Sequence, residues 1–110
     1  MKADKPYLQH IIEAISKIEE YASVGRDFFM TQSHWQDAVI RRLEIIGEAT
    51  KNLSSELKTN NPDVPWRRIA GLRDILIHNY MGVDLNAVWD VIQKDIPALK
   101  KQVLEISSKL

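Results

Sequence analysis

A chain of 110 residues, 45% of them apolar, has the size of one compact domain and no room for a second. It contains no cysteine, which excludes a disulfide framework, a thiolate nucleophile and any zinc or iron–sulfur site built on sulfur ligands. The 15 Lys and Arg balance 15 Asp and Glu, so a broad basic coat for nucleic acid is excluded and any hold on phosphates must come from a local site.

Apolar residues recur at intervals of three and four, and no period-2 stretch reaches strand length, so the expected class is all-α. No apolar run is long enough to span a membrane. The polar Met1–Pro6 segment does not read as a secretory leader, and a cytoplasmic location is expected. A first helix is predicted from about Asp4, with Pro6 in its first turn, where a missing N–H costs little. It carries Leu8, Ile11, Ile12, Ile15, Ile18 and Ala22 on one face and ends near Gly25. Ser33-His34-Trp35-Gln36 has the form of a capping box, opening a second helix with a stripe through Val39, Leu43, Ile46, Leu53 and Leu57 to about Lys58. Thr59 to Pro65, with two prolines, is the main loop. A third helix follows from about Pro65, bearing Ile69, Leu72 and Leu76, and stops near Asn79 to Gly82.

The last helix takes Asp84 as its N-cap, with Val83 and Val88 as a hydrophobic staple, and runs through Trp89, Ile92, Ile96, Leu99, Val103, Ile106 and Leu110. Pro97 inside that run should kink it. Helices of this kind pack as an antiparallel bundle of four to five members. The wide stripes at Val39-Ile40, Ile45-Ile46 and Ile75-Leu76-Ile77 leave apolar surface that points to a homodimer.

Chemistry concentrates between Trp66 and Tyr80. Residues 38–83 hold seven basic and five acidic side chains, against four and six in residues 1–37 and four and four in residues 84–110. Within that surplus, Arg73, His78 and Tyr80 combine a fixed cation, a group that titrates near neutral pH and a phenol. Such a set suits phosphate chemistry: arginine offsets charge developing on phosphorus while histidine moves the proton of a hydroxyl or leaving oxygen. Spacing alone also allows His78 a plain helix-capping role. On one continuous helix Arg73 and His78 lie about 140° apart, Arg73 and Tyr80 share a face, and Asp74 sits one turn below His78. A working site therefore requires the helix to unwind near His78, or a second copy of the motif to face it across a dimer.

The run Arg73-Asp74-Ile75-Leu76-Ile77-His78-Asn79-Tyr80 resembles the R-X4-H-X-Y signature of HepT-like toxins in the HEPN superfamily, including the polar residue directly after the arginine. Residues 38–49 are similar to the second-helix segment of that family and residues 65–73 to the approach to the motif, so the resemblance covers essentially the whole chain. It implies a HEPN-like helical bundle and a metal-independent endoribonuclease without cofactor, the toxin of a toxin–antitoxin pair. In such enzymes the arginine and histidine of two protomers line a cleft and promote attack of a ribose 2′-OH on the adjacent phosphate. By the same resemblance Arg73 and His78 would be catalytic and Asp74 accessory. Tyr80 would be the residue to which the antitoxin, a MntA-like nucleotidyltransferase, attaches AMP, in a hetero-oligomer with the toxin.

Beside this site, Arg41, Arg42, Arg67 and Arg68 are candidates for an RNA-binding rim, with Trp66 as a stacking face for an unpaired base. A solvated helix face or a salt bridge is the competing role of each arginine pair. Glu44 and Glu48 lack a histidine at matching spacing and are expected to pair with Arg41 or Lys51 rather than bind a metal. His10 and His34 read as surface residues, Trp35 and Trp89 as core. The reading from a different class is a non-catalytic helical module that binds a nucleotidyltransferase or a nucleotide.

Overall fold

The computed structural model describes residues 3–78 and 82–110, and of Ile77 and His78 the backbone alone. Helix α1 (Lys5–Ala22) has Pro6 in its first turn and buries Leu8, Ile11, Ala14, Ile15 and Ile18. Asp4 precedes it without capping it. The carboxylate instead accepts both the backbone N–H and the hydroxyl of Ser54, each at 2.7 Å, and so ties the start of α1 to a point 50 residues away. Gly25, at φ 92°, then turns the chain through the left-handed region that only glycine adopts cheaply. It leads into α2 (Arg26–Thr31), a short helix absent from the sequence-based expectation, which buries Phe29 and is bonded by Arg26 Nη2 to Asn86 Oδ1 at 3.0 Å.

Helix α3 (Ser33–Lys51) buries Val39, Leu43, Ile46, Ala49 and Thr50. Ser33 is its first residue and not its cap. The expected capping box is replaced by Gln36, whose Nε2 donates to the Phe29 carbonyl at 2.8 Å, because α2 ends too close for Ser33 to stand outside the helix. The stripe predicted to run to Lys58 breaks after Lys51. Asn52 closes α3, its Nδ2 donating to the Glu48 carbonyl, and Ser54 caps α4 (Ser55–Asn60) by accepting the Leu57 N–H at 3.1 Å. Thr50, the buried polar residue of the core, donates its hydroxyl to the Ile46 carbonyl at 2.8 Å.

The predicted third helix is also divided. Helix α5 (Trp66–Ala70) and helix α6 (Leu72–Leu76) meet at Gly71. The chain then leaves the helix several residues earlier than its periodicity suggests. β1 (Ile77–His78) pairs antiparallel with β2 (Gly82–Val83), Ile77 opposite Val83 and His78 opposite Gly82. The pair is closed at its base by Asp84 N–H donating to the Leu76 carbonyl at 2.9 Å. Gly82, at φ 80°, returns the chain to that register.

Helix α7 (Leu85–Asp90) has the expected cap, Asp84 Oδ1 accepting the Ala87 N–H at 3.1 Å; Val88 is buried while Val83 remains exposed. A π turn (Val91–Asp95) joins it to α8 (Ile96–Ser108). Pro97 stands in the first turn of α8, so the wider π turn just before it takes up the lost donor and the crowding that were expected to kink the helix. The described residues are thus helical apart from loops and one two-residue strand pair. No helix among them is long and apolar enough to cross a membrane. Helix α1 packs against both α3 and α8, and the aliphatic side chains of all three contribute to one shared core.

Candidate functional site

The site is set by a missing side chain. At Gly47, near the C-terminal end of α3, a Cβ would lie 3.2 Å from the Ala70 carbonyl oxygen and 3.5 Å from that of Ile69. Helix α5 therefore rests directly on the α3 backbone, and α6 is brought alongside the same helix. Leu72 and Leu76 of α6 turn into the core, which leaves Arg73 and Asp74 on the outer face. A cavity of about 160 Å³ opens at this junction, lined among others by Glu44, Glu48, Lys51, Arg73 and Asp74.

Arg73 is 68% exposed, and its Nε stands 3.8 Å from Oε2 of Glu44, which is half as exposed. Glu48 pairs with Lys51 at 3.4 Å, as expected. Glu44, expected to pair with Arg41 or Lys51, pairs instead across helices with Arg73, because the close approach at Gly47 brings α6 within reach of α3. An isolated glycine in a helical stripe was the one trace of this approach in the sequence.

His78 lies two residues beyond the end of α6, in extended backbone. The helix does end before His78, so the angles of a continuous helix do not apply and Asp74 is not one turn below His78. Tyr80 itself lies outside the described residues. Arg73 and His78 are carried on different elements, a short helix and the strand that follows it, and Asp84 holds the two ends of the strand pair together at Leu76.

The remaining candidates lie outside the lining of that cavity. Arg41 is exposed on α3 and Arg42 half-buried; Arg67 is exposed on α5. Arg68 donates through Nε at 3.1 Å and Nη2 at 2.8 Å to one oxygen of Asp95, so its guanidinium is engaged by the π turn. Trp66 is half-buried against the core, its indole N–H donating to the Asn61 carbonyl at 3.0 Å. His10 and His34 are exposed, whereas Trp35 and Trp89 pack on the core, Trp89 against Phe29.

A helical bundle with an exposed arginine on a short helix and a histidine in the strand after it defines the class: a helical Arg-X4-His domain. The chain matches the family model described as Ribonuclease HepT-like over residues 11–106, and it belongs to that family. It is 44% identical to a protein of Caldanaerobacter subterraneus subsp. tengcongensis named "Putative RNase", with 99% of this chain and 98% of the relative covered. It is 46% identical to the "Probable ribonuclease HepT" of Thermococcus cleftensis, over 90% of this chain and 91% of that one. A third relative, the "Gamma-glutamylcyclotransferase and putative RNase" of Methanocaldococcus jannaschii, is 51% identical over 96% of this chain, which spans only 48% of that longer protein. No solved structure matches the chain significantly.

Proposed function

We propose that this chain is a metal-independent endoribonuclease and the toxin of a toxin–antitoxin pair, acting in the cytoplasm as a homodimer. A general base takes the proton of a ribose 2′-OH, and the 2′ oxygen attacks the adjacent phosphorus. The P–O5′ bond breaks, the departing 5′ oxygen takes up a proton, and a 2′,3′-cyclic phosphate remains. Arg73 binds the scissile phosphate and offsets the charge that grows on its oxygens, His78 moves the protons, and Asp74 is accessory. Arg41, Arg42 and Arg67 extend the path of the RNA backbone, while Arg68 and Trp66 support it from bonded positions.

One observation carries the reading: the helix stops at Leu76, between Arg73 and His78, so the two groups are freed from the opposed directions a continuous helix would impose. Family membership and relatives named as ribonucleases support it. In the dimer, a second copy of the pair completes the cleft. The antitoxin is a MntA-like nucleotidyltransferase that transfers AMP to the Tyr80 hydroxyl, placing bulk and negative charge where RNA phosphates must pass.

Induction in a bacterial host, with the partner absent, tests the nuclease. The wild type is expected to arrest growth and cleave RNA, and His78→Ala and Arg73→Ala to do neither. Equal harmlessness of all three would leave a non-catalytic helical module. Intact mass after co-expression with a MntA-like nucleotidyltransferase is expected to show AMP-sized additions that disappear in Tyr80→Phe. An unmodified, inhibited complex would remove the AMP transfer from the scheme.

A further inference from the structure

An arginine that must meet a phosphate in one geometry gains from being held, yet Arg73 stands 68% exposed on a long, flexible side chain. Three carboxylates and one further cation, Lys51, face the cavity beside it. Glu48 is engaged by Lys51 at 3.4 Å, and Asp74 is exposed on the same short helix as Arg73. Glu44 is different. It stands on α3, a 19-residue helix anchored in the core, one turn before the glycine that seats α5, and it alone is paired with Arg73 among the described residues.

The direction of the pairing matters. Oε2 of Glu44 approaches Nε, at 3.8 Å, and a planar guanidinium approached on that side keeps its terminal Nη1–Nη2 fork for a second anion. A phosphate can then be taken bidentately by an arginine that the Glu44 carboxylate draws to one side by charge, at a separation too long for a hydrogen bond. Glu44 also contributes negative charge to a cavity that must receive a polyanion, so its effects on orientation and on affinity have opposite signs.

We propose that Glu44 is the positioning residue of this site, acting on the reaction through Arg73 and never touching the RNA. The inference rests on the nuclease reading above. Because Glu44→Gln loosens Arg73 and removes a repelling charge at once, it lowers kcat without raising KM. A residue that bound phosphate would raise KM, and one that only supported the fold would leave kcat and KM of the folded protein alone.

The test uses the whole chain, purified without its partner, and a single-stranded oligoribonucleotide cleaved at steady state. Glu44→Gln and Glu44→Ala are expected to lower kcat about tenfold, in the range found for residues that orient a catalytic group, with KM unchanged or reduced. Glu44→Gln preserves shape and covers the case in which the alanine variant fails to fold. ¹⁵N relaxation of the Arg73 Nε–Hε group is expected to show the side chain becoming more mobile in Glu44→Gln. An active wild type with unchanged kcat in Glu44→Gln, or an Arg73 signal equally rigid in both proteins, overturns the inference and leaves the nuclease reading standing. A wild type that cleaves no RNA overturns both.

Discussion

Helices α1 and α3 run for 18 and 19 residues, whereas the segment from Ser54 to Asp95 is cut into helical pieces of five or six, although both regions draw on the same aliphatic residues. The difference lies in the residues between the apolar ones. In α1 and α3 the helix runs on over five turns, the buried Thr50 hydroxyl bonding back within its own helix, and Gly47 is tolerated where α1 and α5 both pack against α3. Just before and within the second region, Asn52, Ser54, Gly71 and Asp84 each offer the backbone another partner or another conformation, and the chain takes it. Long helices bury a continuous stripe and hold the domain together. Short ones point successive polar side chains in different directions, and there the candidate chemistry sits.

If that division is right, truncating the scaffold should damage stability and truncating the site should not. Leu8→Ala, at a fully buried position of α1, is expected to lower the unfolding free energy by about 2–5 kcal/mol in urea denaturation. A cost below about 1 kcal/mol would break the comparison at its stronger end. Gly47→Val joins the two regions: its side chain must push α5 away from α3, with an expected loss of about 1–3 kcal/mol and a fall in RNA cleavage as Arg73 moves from Glu44. Asp84→Ala removes one cap hydrogen bond and should cost about 1 kcal/mol, with hydrogen exchange rising first in α7 and at the Leu76–Asp84 closure. The smallest effect on stability is expected for Arg73→Ala, under about 1 kcal/mol because its ion pair is exposed, together with loss of RNA cleavage. A large destabilisation by that variant would make Arg73 a structural residue and erase the contrast.

The two regions also differ in how far they could be read beforehand. The stripe of α1, the cap at Asp84 and the stripe of α8 followed from spacing alone, since each is decided within a few residues. Helix α2 was missed, although Gly25 and Asp27 mark its start, because six residues are too few for periodicity to show. The breaks after Lys51 and Leu76 were missed for another reason: Leu53, Leu57 and Ile77 stay in phase with the preceding stripes, so the apolar pattern continues where the helix does not. At the candidate site the motif was legible, and an unwound helix near His78 was one of the two alternatives its spacing allowed, beside a second copy facing it across a dimer. The partner of Arg73 was not, and Glu44 had been assigned to neighbours on its own helix.

By itself, then, the sequence determined the helical class and which faces are buried, and it nominated Arg73, Asp74 and His78 as candidates, because local periodicity and residue chemistry suffice for these. Tertiary structure decided where the helices end and what the polar side chains hold. Asp4 reaches Ser54 across 50 residues and Arg68 reaches Asp95 across 27, and Glu44 meets Arg73 only because a glycine lets two helices touch. Such pairings depend on how rigid elements stack, and residue spacing along one chain carries no record of that distance.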